Sequence, residues 1–256
     1  AECMKDARQQ VETLKRELDE DPAATTARQA AARTRAARER EERVQRAIEQ
    51  RDAAAARKTE AEEQKKESRA STTDSEAKVM KMGDGGFRPA INAQFAADVG
   101  SQIIIGLDAS NQGTDFGQLG LMLNQVESRY GRRPKVALVD GGYVSRSDID
   151  AAAARGTDVY APPKVDSRRT GDPGVPYDRD GPGVAAWRTR MGTAEGKEVY
   201  KERASTAECV NALARNRGLR QLAVRGLTKA RAVLLWFALA HNMMRAVSLR
   251  ASAVAA

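Results

Sequence analysis

The chain has 256 residues, a formal net charge of +8 and only 4% aromatic residues, a length that accommodates one or two domains and an alanine-heavy composition that predicts extended helix in place of packed core over part of it. Its two cysteines, Cys3 and Cys209, exclude a disulfide framework and a CxxC zinc site and fit a reducing cytoplasm. No signal peptide opens it, and no uncharged stretch reaches the roughly 18 residues of a membrane span, Ala232–Ala240 being the nearest approach.

Residues 1–20 read as a helix, with Val11, Leu14 and Leu18 at i, i+3, i+7. Asp19-Glu-Asp-Pro22 breaks it, and Thr25 or Thr26 can cap a second helix that runs to about Ser68. The large apolar residues of that second helix are few, Val44 and Ile48 among them, and too sparse for a core. A charged helical hairpin or coiled coil over 1–70 is the expected form. Gly83 is the first glycine, and from Ser71 the texture changes. Ser71–Glu76 reads as a polar loop and Gly83–Gly86 as a flexible turn. Ile91–Ala97 and Ile103–Leu107 form a β-hairpin. Phe116–Tyr130 is a helix ended by Gly131, and Val136–Val139 a short strand expected to be buried on both faces. Ser147–Ala154 is a helix, Val159–Ala161 a strand, and 162–184 a loop rich in Pro, Gly, Asp and Arg. Helices over Val184–Met191, Ala194–Asn216 and Leu227–Leu249 complete an α/β order.

The charge is uneven. Residues 1–70 nearly balance, 71–195 are close to neutral, and 196–256 set Glu198, Glu202 and Glu208 against eleven lysines and arginines. Such a basic segment is the electrostatic footprint of nucleic-acid binding; a solvated basic helix has the same composition. Within it, Glu208 lies among Tyr200, Lys201, Arg203 and Arg215 on neighbouring helical turns. A carboxylate there could hold a metal while the cations hold phosphates, or the set could be surface ion pairs. Upstream, Asp140 follows Val139 at the carboxyl end of a strand, where ligands of α/β sheets gather. Gly141 and Gly142 clear the space beside it, and its hard oxygens suit Mg²⁺. An acidic residue opening a Gly-Gly turn is the simpler reading of the same residues. His241, the only histidine, sits on an apolar helix and is expected to be packed and hydrogen-bonded. No GxSxG or GxxxxGK[ST] motif occurs.

Three segments together resemble the DDE-type transposases of bacterial insertion sequences. The stretches Ser71–Met80 and Gly86–Asp98 are similar to the segment before the family's second acid. Val139-Asp140-Gly-Gly-Tyr143 resembles the motif of the second catalytic Asp. Tyr200 to Arg215 resembles the signature Tyr-x2-Arg-x3-Glu-x6-Lys that carries the catalytic Glu. Two departures stand out. Four residues separate Arg203 from Glu208 instead of three, which on a regular helix rotates Glu208 by about 100° unless a bulge absorbs it. Arg215 stands where the family has Lys, keeping the charge but changing the geometry.

The resemblance implies a ribonuclease H-like catalytic core over 71–256, incomplete at its N-terminus and preceded by the charged helical hairpin of 1–70. It implies Asp140 and Glu208 as catalytic metal ligands for two Mg²⁺ ions, with Mn²⁺ as a substitute, and Tyr200, Lys201, Arg203 and Arg215 on DNA phosphates. The expected reaction is DNA cutting and strand transfer at insertion-sequence ends. The expected partners are double-stranded DNA and a second copy when assembled on it, in the bacterial cytoplasm at the nucleoid and without a membrane. The family's first Asp has no counterpart; Asp98 and Asp108 are the acids near strands that could replace it. A truncated transposase is therefore expected. A non-catalytic DNA-binding remnant and an unrelated coiled-coil interaction protein are the alternatives.

Overall fold

The computed structural model describes residues 2–20, 26–56, 69–83, 85–163 and 172–255. It is an α/β arrangement of helices and small two-stranded sheets. The polypeptide divides into two compact units, one of Ala1–Ile91 with Val224–Lys229, the other of Asn92–Ala223 with Ala230–Ala256.

In the first unit α1 (Glu2–Glu20) packs on α2 (Ala27–Ala55). Ala7, Val44 and Ala47 are buried, and Arg8 pairs with Glu41 at 3.6 Å. Thr26 caps α2 through a capping box with Gln29, which satisfies two otherwise orphaned amides. The helix ends at Ala55; the expected continuation to Ser68 lies outside the described residues beyond Ala56, as do Pro22 and Thr25. β1 (Lys78–Lys81) and β2 (Phe87–Ala90) form an antiparallel hairpin on either side of the expected turn at Gly83–Gly86, over segments to which the sequence reading gave no element. Flanking lysines and an interior proline mask its strand pattern. Asp74 and Glu76 accept the backbone amides of Gly226 (2.8 Å) and Leu227 (3.1 Å), capping the last helix of the chain at its start.

The second unit opens with β3 (Asn92–Ala97) and β4 (Ile104–Ser110), the expected hairpin, with a register shift at Ala96/Ala97. It continues with α3 (Gln118–Tyr130), β5 (Val136–Leu138), α4 (Arg146–Ala154) and β6 (Asp158–Tyr160). β5 pairs in parallel with β6 and with no other described strand, so the unit holds two separate two-stranded sheets instead of one that joins the hairpin to β5. The expectation that β5 is buried on both faces is corrected for the same reason: Val136 is 45% exposed beside an edge that no described strand covers. β3 is open in the same way. Gln125 of α3 takes both backbone groups of Leu107, at 2.9 and 3.0 Å, so Leu107 and its cross-strand partner Phe95 form a non-hydrogen-bonded pair. The N–H and C=O of Phe95 therefore point away from β4, where no described strand pairs.

The chain then runs through α5 (Pro182–Gly192), α6 (Ala194–Arg203), a π-helical turn (Ala204–Glu208) and α7 (Cys209–Asn216). The single regular helix expected over Ala194–Asn216 is thus interrupted. Two cores explain the path. One gathers Leu119, Leu123, Ile149, Val159, Val184, Trp187 and Met191, with Tyr200 of α6 packed against it. The other joins Ile104 and Leu107 of β4 to Val210 of α7 and to Leu234 and Ala238 of α8 (Leu227–Ala255). The π turn lies where the helix passes from the first core to the second.

Helix α8 extends past the expected end at Leu249. It is long and apolar enough, by length and composition, to cross a membrane. A count of uncharged residues missed it because Arg245 interrupts the run. One side of it is tied to the β3–β4 hairpin: His241 Nε2 to the Gln102 carbonyl at 2.9 Å, Asn242 to both backbone groups of Ile104, Arg245 to the Ser101 carbonyl. His241 is packed and hydrogen-bonded as expected. The opposite side, with Trp236, Leu239, Met243 and Val247, is exposed.

Candidate active site

The carboxyl end of β5 leads through Val139 into a tight turn. Tyr143 N–H donates to the Asp140 carbonyl at 3.0 Å, and Gly142 N–H to Asp140 Oδ1 at 2.8 Å. Asp140 therefore serves its turn, as the simpler reading held, but with one oxygen only. Its Oδ2 lies 3.6 Å from the Arg203 guanidinium. A Cβ on Gly141 would sit 3.3 Å from the Pro162 carbonyl oxygen, so a larger residue fits this turn only if Pro162 gives by a few tenths of an ångström.

Arg203 ends α6, and its other guanidinium nitrogen donates to Glu208 Oε1 at 2.7 Å. Five residues along a regular α-helix leave two side chains about 140° apart. The wider π turn takes up the additional residue and returns Glu208 to the face of Arg203. A π turn loosens carbonyls, and here they are satisfied. Ser205 and Thr206 hydroxyls bond the Glu202 carbonyl, each at 2.9 Å, and Gln102 Nε2 donates to the Ser205 carbonyl at 2.6 Å. Gln102 stands at φ +58 in the β3–β4 turn, and its own carbonyl accepts from His241. The hairpin and α8 thereby hold the turn that positions Glu208.

Asp140 and Glu208, distant in sequence, thus contact one guanidinium. Their side chains are 57% and 60% exposed and that of Arg203 20%, so each pair is worth no more than about 1 kcal/mol. Tyr200 lies one turn before Arg203; burial pushes its hydroxyl above its ordinary value, the Arg203 charge opposes the shift, and the nearby Asp140 and Glu208 add to it. Burial, reinforced by Asp115 and Asp140, raises Tyr143 to about 12. Both tyrosines keep their protons at neutral pH and can donate hydrogen bonds to an anion.

The remaining sequence candidates fall elsewhere. Lys201 pairs with Glu198 at 2.6 Å on the helix surface. Arg215 is exposed two turns beyond Glu208, in no ion pair among the described residues. Asp98 holds the hairpin turn, accepting from Ser101 Oγ at 2.6 Å and Ser101 N at 2.9 Å. Asp108 lies within β4 and pairs with Arg231 at 3.7 Å. Both are engaged locally, which argues against either as a replacement for the first Asp. Asp115 was missed. It accepts from Asn92 (2.6 Å) and Gln94 (3.1 Å) of β3, and its charge adds to the upward shift of the Tyr143 hydroxyl. Its place in a polar loop, Asn-Gln-Gly-Thr-Asp115, carries no signal of that role. Among the described residues no group of three or more His, Cys, Asp or Glu side chains is placed to hold a metal.

Residues 183–247 match the family model described as the transposase DDE domain. The match contains Tyr200, Arg203, Glu208, the π turn and Arg215, and leaves Asp140 outside. The C-terminal portion of the chain thus carries a DDE transposase domain, which supports a function of the transposase family. No curated protein and no solved structure matches the chain.

Proposed function

We propose that this chain is the C-terminal part of a transposase that cuts and joins DNA at insertion-sequence ends, with Asp140 and Glu208 as two of its catalytic carboxylates. The observation that carries the reading is the convergence of these two acids, from the end of β5 and from the π turn, on Arg203. The donor set fits Mg²⁺ or Mn²⁺: hard oxygens, both more than half exposed, and an Asp140 oxygen left over from its turn. When bound, a pair of such ions supplies activation of the attacking oxygen and neutralisation at the phosphate. Tyr200 and Arg203 border the acids and would orient the phosphate; Lys201 and Arg215, farther along the helix, would hold the flanking backbone. The ribonuclease H-like reading is supported by the edges of β3 and β5, in the same unit, that no described strand covers. A strand bearing the third carboxylate would pair there.

This reading expects the 256-residue chain to bind end-containing duplex in a salt-dependent way without nicking it, because two acids anchor a metal pair poorly. Gel-shift and nicking assays with Mg²⁺ and Mn²⁺ test both parts. Nicking abolished by Asp140→Ala would overturn the need for a third acid; absence of salt-dependent binding would overturn the DNA reading. The lack of a three-ligand cluster among the described residues favours a second reading, a non-catalytic DNA-binding remnant. Mn²⁺ binding that depends on Asp140 separates the first reading from the second.

A further inference from the structure

We infer that Arg203 is a positioning residue that occupies the cation's place in the carboxylate pair, so that a divalent ion must displace it to enter. The inference rests on the metal reading of Asp140 and Glu208. Its grounds are geometric. The two nitrogen arms of one guanidinium reach the two acids, Glu208 at 2.7 Å and Asp140 at 3.6 Å. The side chain is only 20% exposed while both acids are more than half exposed, so an ion reaches the carboxylates from solvent and competes with Arg203 for the oxygens it holds.

Charge then decides the sequence of events. One guanidinium offsets half of the pair's charge and holds the two acids together. An entering divalent ion offsets all of it and repels the guanidinium. Arg203 is thereby released from the pair, and its planar fork suits a phosphate bound beside the acids.

The test is Mn²⁺ binding to the full chain, read as loss of the free-ion paramagnetic resonance signal. Arg203→Gln removes the competing charge and tightens Mn²⁺ binding on the order of tenfold. Adding Asp140→Ala to it abolishes the gain. If Arg203→Gln does not fold by circular dichroism, Arg203→Lys carries the test. A single ammonium reaches one acid at a time, so binding tightens by a smaller factor, and no change overturns the inference. Equal binding by wild type and Arg203→Gln, lost in Asp140→Ala, overturns the displacement while the metal reading stands. Weaker binding by Arg203→Gln means that the guanidinium gathers the acids for the metal and also overturns displacement. Binding that ignores Asp140, or none at all, overturns the metal reading and this inference with it.

Discussion

Arg203 and Glu208 meet at 2.7 Å although they lie five positions apart on one continuous helical path. A regular helix would turn them away from each other; the π turn between them brings them back. That turn is held from outside the helix by Gln102 of the β3–β4 hairpin and from within it by the hydroxyls of Ser205 and Thr206. The position of Glu208 therefore depends on the hairpin as much as on its own helix.

Gln102 has two opposed contributions. Its side chain bonds the Ser205 carbonyl, worth about 1 kcal/mol net, and its left-handed backbone costs a comparable amount. Gln102→Ala loses the bond and keeps the strain, and lowers stability by about 1 kcal/mol. Gln102→Gly loses the bond and relieves the strain, and stays near wild type. Urea denaturation of both variants checks the difference.

Two helical glycines should respond in opposite directions. A Cβ on Gly196 would lie 2.1 Å from the Arg190 carbonyl oxygen at the junction of α5 and α6, while one on Gly120 in α3 meets nothing within 4 Å. Gly196→Ala costs about 3 kcal/mol by forcing the junction apart. Gly120→Ala gains up to about 1 kcal/mol from helix propensity. Thermal melts of the two, run side by side, read the contrast.

Asn242 bonds both the N–H (2.8 Å) and the C=O (2.9 Å) of Ile104 at the end of β4. Asn242→Ala leaves two part-buried backbone groups without that partner and costs about 2 kcal/mol. Hydrogen exchange at the Ile104 amide should accelerate, with the α4 amides as the internal reference.

The Asp98 carboxyl is held below its ordinary range by the Ser101 hydroxyl and backbone amide. A depressed carboxylate contributes stability that is whole above its unfolded value, about 3.9, and is lost as pH falls through the lower folded value. Ser101→Ala should therefore flatten part of the acid limb of the stability profile below about pH 4 and leave the slope above pH 5 unchanged. The group is exposed, so the effect stays under about 1 kcal/mol. Denaturation midpoints between pH 2 and 7 measure it.

The DNA reading predicts a salt signature. Each lost phosphate contact lowers the slope of log affinity against log salt by roughly 0.9, so Arg203→Ala with Arg215→Ala lowers it by about 2. Tyr200→Phe removes no charge and leaves it unchanged. Titrations of an end duplex from 50 to 200 mM salt decide, and an unaltered slope in the double variant would leave these arginines as surface residues only.

Local features were legible in the amino-acid sequence because they depend on neighbours in the chain. The apolar runs Ile91–Ala97 and Ile103–Leu107 disclosed the β3–β4 hairpin, Thr26, one of two candidate caps, marked the start of α2, and the run before Asp140 placed it at the end of β5. The motif around Tyr200, Arg203 and Glu208 was visible as spacing, including the surplus residue, and residues 183–247 carry the family match. Tertiary structure decided what long-range pairing governs. It split the described strands into three two-stranded sheets, leaving edges of β3 and β5 that no described strand covers, because a strand's partner is set by which backbones meet and not by its own side chains. It exposed Val136 for the same reason. It turned the surplus residue into a π turn, since packing on two separate cores and the carbonyl bond from Gln102 favour that geometry over a regular helix. And it drew Asp140 and Glu208 to one guanidinium, a convergence that spacing could suggest but that only the folding of β5 against α6 produces.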